Sequence, residues 1–102
     1  MKYGTIARMR VRPGAEAFLR AQLESLQPRG LQGWLSTTLY RSDRDPQDMW
    51  MVVAFESEEA YKRNAARENM DAVYRRLRSC LEQDPEWNDG FVISEMSVAQ
   101  HP

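Results

Sequence analysis

The sequence predicts an α+β fold: a four-stranded antiparallel sheet with its helices on one face, in the order β-α-β-β-α-α-β. Three observations predict it. Residues 2–12 alternate, with Tyr3, Thr5, Ala7, Met9 and Val11 on one side and Gly4, Ile6, Arg8, Arg10 and Arg12 on the other, the period of a half-buried strand. Two strand-like runs, 31–41 and 49–55, bracket the polar loop Ser42-Asp43-Arg44-Asp45-Pro46-Gln47-Asp48, which marks a β-hairpin. Segments with apolar residues at helical spacing lie on either side of that hairpin.

Each element has its own signal. Pro13-Gly14 ends the first strand and opens a helix, in which Ala15, Phe18, Leu19, Leu23 and Leu26 form the apolar stripe opposite Glu16, Arg20 and Glu24. Pro28-Arg29-Gly30 stops it. The alternation then places Trp34 and Tyr40 on one face of the second strand and Leu35 and Leu39 on the other. Met49-Trp50-Met51-Val52-Val53-Ala54-Phe55 is apolar on both alternating faces, so both faces need cover. Ser57 before Glu58-Glu59 is a helix N-cap with acids in the first turn, and the second helix carries Ala60, Tyr61, Asn64 and Ala65 on one face. A third helix begins near Asn69, with Met70, Val73, Tyr74, Leu77 and Leu81 as its stripe and Arg75, Arg76 and Arg78 on its wet side. Asp84-Pro85 ends it. Asn88-Asp89-Gly90 reads as a turn, followed by a last strand with Phe91, Ile93 and Met96, and residues 97–102 read as a flexible tail.

A hairpin flanked by two βα crossings gives the split βαβ, or ferredoxin-like, arrangement. Right-handed crossovers put the helices on one face and leave the other bare. An apolar bare face calls for a second chain, and a two-fold homodimer packed sheet to sheet is the simplest cover.

At 102 residues the chain is a single domain, 1–102. A net charge of −1 and a pI near 5.8 point to neither nucleic acid nor an anionic membrane as partner. No apolar run is long enough to span a bilayer, and residues 1–12 do not read as a signal peptide. The expected location is the cytoplasm. Cys80 is the only cysteine and is expected to be an inert buried thiol.

The residues exclude several chemistries. The only histidine, His101, falls in the expected tail, where it cannot hold a proton acceptor in place. Ser25, Ser36 and Ser94 have no base to pair with, and no cluster has metal-ligand spacing. Arg8, Arg10 and Arg12 are read as solvated or paired with carboxylates rather than as an anion site. Trp87 is read as an anchor for the last strand.

Four stretches carry a family resemblance: Arg12-Pro13-Gly14-Ala15, Thr38-Leu39-Tyr40-Arg41, Phe55-Glu56-Ser57-Glu58-Glu59-Ala60-Tyr61, and Asp84-Pro85-Glu86-Trp87-Asn88-Asp89-Gly90. Over residues 2–96 the chain resembles the antibiotic-biosynthesis-monooxygenase-like proteins, small dimeric α+β-barrel domains. The resemblance implies a homodimer whose sheets close into a barrel, with a ligand cleft between helices and sheet in each chain. It also implies two kinds of activity, cofactor-independent oxygenation of quinols and aromatic polyketides in some members and heme degradation in others. The heme-degrading branch has Asn, Trp and His where this chain has Ala7, Asn64 and Tyr74, so that activity is disfavoured.

Cofactor-free oxygenation asks the protein for a dry pocket, aromatic walls and a few hydrogen-bonding groups. Trp50, Tyr61, Asn64 and Tyr74 are the candidate substrate-binding residues, with Trp34 also contributed by the hairpin; no catalytic residue is assigned. The expectation is a cofactor-independent monooxygenase for a small aromatic or quinol-like ligand, with no cofactor and no metal. The alternatives stand beside it. Tyr61 and Tyr74 are core aromatics, Asn64 caps the second helix, Trp50, Met49 and Met51 serve the barrel or dimer seam, and the chain is a non-catalytic dimeric module that binds a small ligand or serves a stress or regulatory role.

Overall fold

The computed structural model describes residues 1–25, 32–67 and 70–98. Four strands and three helices occur in the expected order: β1 Tyr3–Arg10, α1 Glu16–Glu24, β2 Trp34–Arg41, β3 Asp48–Phe55, α2 Glu58–Ala65, α3 Met70–Ser79 and β4 Glu86–Phe91. The sheet order is β2-β3-β1-β4, with every neighbouring pair antiparallel. This is the ferredoxin-like arrangement.

The period-2 alternation of β1 decides which face is covered. Tyr3, Thr5, Ala7 and Met9 are buried, and Val11 just beyond the strand is buried with them, while Ile6 and Arg8 are exposed. On β3 the residues in register with the buried set are Phe55, Val53, Met51 and Met49. Met49 and Met51 thus sit in the core on the helix side, and not at a barrel interior or dimer seam on the other face. Their alternation partners Trp50, Val52 and Ala54 point the opposite way.

Local chemistry accounts for the junctions. Gly14 takes a positive φ of 80° where the chain leaves β1. α1 buries Leu19 fully and Leu23 partly, but Phe18 is half exposed, because the helix presents a narrower stripe than its apolar residues suggest. Leu26 and the Pro28-Arg29-Gly30 stop lie outside the described residues. The Ser57 hydroxyl accepts the Ala60 amide at 3.1 Å and caps α2. The hairpin loop is closed by the Ser42 hydroxyl, which accepts the Arg44 and Asp45 amides. Arg10 reaches across to Asp45 and Glu82, and Arg8 binds both oxygens of Asp48 at 3.1 Å. Of Arg8, Arg10 and Arg12, the first two are therefore paired with carboxylates, and Arg10 holds Asp45 below the usual carboxylate range.

Two segments depart from their sequence patterns, and both border the helix side of the sheet. A β-bulge at Leu35 shifts the β2 register between Trp34 and Ser36. Trp34 and Tyr40 therefore lie on opposite faces, and Trp34 shares the helix side with Thr37 and Leu39. Second, Asn88-Asp89-Gly90 is not a turn: it lies inside β4, paired with β1 as Asn88↔Ile6, Asp89↔Thr5 and Gly90↔Gly4. Ile93 and Met96 lie beyond the strand and are highly exposed.

The helix side of the sheet is divided lengthwise. Toward the end of β1 near Val11, Ala7, Met9, Met49, Leu19, Leu77, Cys80 and Leu81 pack as a solid core. The chain after α3 crosses this end, bonding the Glu82 amide to the Arg10 carbonyl and the Arg12 amide to the Cys80 carbonyl, both at 2.8 Å. Burial pushes the Cys80 thiol up, in keeping with an inert side chain. The other end holds an edge-to-face aromatic set, Tyr3 with Tyr61 and Phe91, and Tyr61 with Phe55, at centroid distances of 4.9–5.6 Å. Between the core and this set the packing is open.

Candidate functional site

That opening is a cavity of about 520 Å³ between the sheet and the three helices. The sheet floor is Thr5, Val53, Met51, Trp34 and Thr37, with Trp87 and Asp89 from β4. Tyr61 and Asn64 of α2 and Met70, Val73 and Tyr74 of α3 form the roof.

Gly33 explains how Trp34 enters this wall. It has φ 82°, and its carbonyl accepts the Glu56 amide at 2.8 Å. A Cβ at Gly33 would lie 2.6 Å from the Ala60 Cβ, so α2 can settle on the start of β2 only over a glycine. The bulge just after it turns the Trp34 ring inward, and its indole N–H donates to the Thr37 hydroxyl at 2.9 Å. With its donor engaged there, Trp34 offers the cavity an apolar face.

The polar groups are few. Two buried side-chain atoms have no hydrogen-bond partner among the described residues, the Thr5 hydroxyl oxygen and Asn64 Oδ1, and both residues line the cavity. A buried polar atom without a partner costs about 1–3 kcal/mol, so native chains carry few of them. Tyr61 donates its hydroxyl to Asp89 Oδ1 at 3.3 Å. Burial, then the charge and hydrogen bond of Asp89, push the Tyr61 phenol up to about 12, against an opposing pull from the nearby Thr5 hydroxyl. Tyr61 is thus a neutral donor across the physiological range. Asp89 is the only charged side chain in the lining, among the described residues.

The structure brings together three of the four candidate binding residues, Tyr61, Asn64 and Tyr74. It places the fourth, Trp50, on the opposite sheet face, in register with Arg8 and Tyr40 and with the Arg8 guanidinium 5.8 Å from its ring centre. Ala7 is sealed in the core and Trp87 joins the lining. Asp89 is absent from the sequence-derived candidates because Asn88-Asp89-Gly90 has the composition of a turn. The alternation of Trp87, Asp89 and Phe91 is the signal that could have found it. His101 lies outside the described residues. Among the described residues, no three His, Cys, Asp or Glu side chains converge on a metal position, and no helix is long and apolar enough to cross a membrane.

Comparison with known proteins adds a family and a set of folds. The sequence pattern of the antibiotic biosynthesis monooxygenase family matches residues 3–82. No protein with a curated description matches the chain. Among solved structures, a mutant of SnoaB, a cofactor-independent oxygenase from Streptomyces nogalater, has a similar fold, with a TM-score of 0.80 at 15% identity over 93% of this chain and 96% of that one. Rv0793 from Mycobacterium tuberculosis gives 0.75 at 22% identity, covering 95% and 100%. A conserved protein from Methanosarcina mazei Go1 gives 0.77 at 17% identity, covering 89% and 92%.

Proposed function

The chain belongs to the antibiotic biosynthesis monooxygenase family, and on that basis we propose that it is a cofactor-independent monooxygenase acting on a small aromatic or quinol-like molecule held in the helix–sheet cavity. The observation that carries this reading is the cavity itself. Its volume of about 520 Å³ falls in the range of small-molecule sites, about 300–1,000 Å³, and its walls are mostly apolar and aromatic. The unpartnered Thr5 and Asn64 atoms give a bound phenol somewhere to form hydrogen bonds. SnoaB, which shares the fold, is itself a cofactor-independent oxygenase.

In the proposed reaction the substrate supplies the electrons. A hydroquinone and dioxygen give a hydroxyquinone and water, and an anthrone CH₂ and dioxygen give a ring carbonyl and water; in both the substrate loses four electrons and dioxygen gains them. The protein contributes binding and orientation: Trp34 and Tyr74 as walls, the Asn64 side-chain N–H as donor to the oxygen whose charge develops, and exclusion of water. The active form is proposed to be a homodimer joined through the sheet faces. The exposed Ile6 and Tyr40, beside Trp50 and Val52 on the uncovered face, support that assembly.

The test is oxygen uptake by metal-free protein across dihydroxynaphthalenes, benzohydroquinones and anthrones. Wild-type protein is expected to consume oxygen with at least one of them. Asn64→Ala is expected to cut the rate by about 10²-fold, the scale of losing one donor to a developing oxyanion, and Tyr74→Phe by less. Tight binding of panel members without uptake would instead favour a ligand-binding module built on the same cavity.

A further inference from the structure

We propose that Asp89 is a catalytic residue, the acceptor of the substrate's phenolic proton as the substrate gives its first electron to dioxygen. The inference rests on the oxygenase reading above and adds a base to a site for which the sequence patterns suggest none.

The geometry sets this carboxylate against the cavity. β4 pairs Asp89 with Thr5, which sets its side chain on the helix side of the sheet and in the cavity wall. It has no Lys or Arg partner among the described residues; Asp43 in the hairpin loop has none either, while Asp45, Asp48, Asp71 and Asp84 each have one. Tyr61 engages Oδ1 alone, at 3.3 Å, and Oδ2 has no partner among the described residues. The Tyr61 phenol, pushed up to about 12, remains protonated and steadies the carboxylate without competing for the substrate's proton. One oxygen is held by Tyr61 and the other is free, and the residue both lines the mostly apolar cavity and is exposed to solvent. Asp89 also lies beyond residues 3–82, the span that the family pattern matches.

An aspartate is too weak a base to ionise a resting phenol to any extent. It does not need to. As the electron leaves, the phenol becomes a strong acid, and a carboxylate within hydrogen-bond reach suffices to take the proton in the same step. The phenolic O–H bond breaks and a carboxyl O–H bond forms. The substrate is oxidised by one electron to a neutral phenoxyl radical, and dioxygen is reduced by one electron to superoxide. The proton on Asp89 is then available to the reduced oxygen. Without an acceptor, the same electron transfer would leave a radical cation in an apolar pocket, which is costly.

The experiment compares wild type, Asp89→Asn and Asp89→Glu on two substrates, a hydroquinone that is neutral at the assay pH and a chlorinated hydroquinone already ionised at that pH. Binding of a non-oxidisable dimethyl ether analogue is measured in parallel as a check on the fold of the site. The expected result is an Asp89→Asn loss in kcat of about 10²-fold or more on the neutral substrate, a loss of only a few-fold on the ionised one, unchanged ether binding, and partial rescue by Asp89→Glu. A purely structural role would cost both substrates equally. An equal loss, or no loss on the neutral substrate while wild type turns over, overturns the Asp89 assignment and leaves the oxygenase reading standing. No oxygen uptake by wild type on either substrate removes the oxygenase reading and the assignment with it.

Discussion

Thr5 shows at the scale of one residue how the site costs stability. Its hydroxyl is buried close to the Tyr61 phenol but makes no well-formed hydrogen bond among the described residues. Valine has nearly the same shape and no such group. Thr5→Val is expected to raise the stability of the ligand-free protein by up to about 1 kcal/mol, the lower end of the cost of an unsatisfied buried group. The same change is expected to weaken binding of a phenolic ligand. Denaturant unfolding and a ligand titration on one preparation check both signs. A fall in stability would mean that the hydroxyl is already satisfied and does not await a ligand donor. The candidate residues make a related point about legibility. Tyr61, Asn64 and Tyr74 are readable because helical spacing ties them to the buried stripe, and the structure sets all three in the cavity wall. Trp50 is not, because its strand is apolar on both faces, so hydrophobicity cannot say which tryptophan of the hairpin looks inward.

At the scale of elements, the junction of β2 with α2 decides the cavity's shape. Gly33 combines a left-handed backbone with an approach that leaves no room for a Cβ beside Ala60. Gly33→Ala is expected to destabilise the fold by more than about 1 kcal/mol, since it adds backbone strain to a steric clash. Adding Ala60→Gly is expected to recover only the clash, and thermal unfolding of the single and double variants separates the two. The adjacent bulge is what brings Trp34 to the helix side. Strict alternation from Leu31 to Arg41 predicts Trp34 and Tyr40 together, and one extra residue is enough to part them. The bulge itself leaves no mark in the local sequence that a period-2 pattern reveals. The N-cap at Ser57, by contrast, is legible because its hydrogen bond is made within four residues.

At the scale of the molecule, among the described residues, one sheet face carries three helices and the other has none, with Ile6, Trp50, Val52 and Tyr40 adjacent across three strands. The homodimer proposed from this face is expected to be the only species at micromolar concentration in analytical ultracentrifugation. Ile6→Arg, which adds a charge at a position already 50% exposed in the single chain, is expected to yield a monomer with an unchanged far-UV spectrum. A monomeric wild type would remove the dimer while leaving the cavity intact, because the cavity is built within one chain.

The order of elements, the buried face of β1, the cap of α2 and the family can all be read from the chain as written. Each depends on short-range periodicity, on caps and turns, or on motifs that survive without knowledge of partners. Three features emerge only when the strands are paired: Asn88-Asp89-Gly90 is the interior of a strand, Trp34 rather than Trp50 faces the helices, and Tyr61 meets Asp89. A residue in an edge strand gains its conformation from hydrogen bonds to a strand more than eighty positions away, and Asn, Asp and Gly have turn propensities that such pairing overrides. The alternation of Trp87, Asp89 and Phe91 hints at a strand, but the composition of a turn masks it, and only the register with β1 places the carboxylate in the cavity wall.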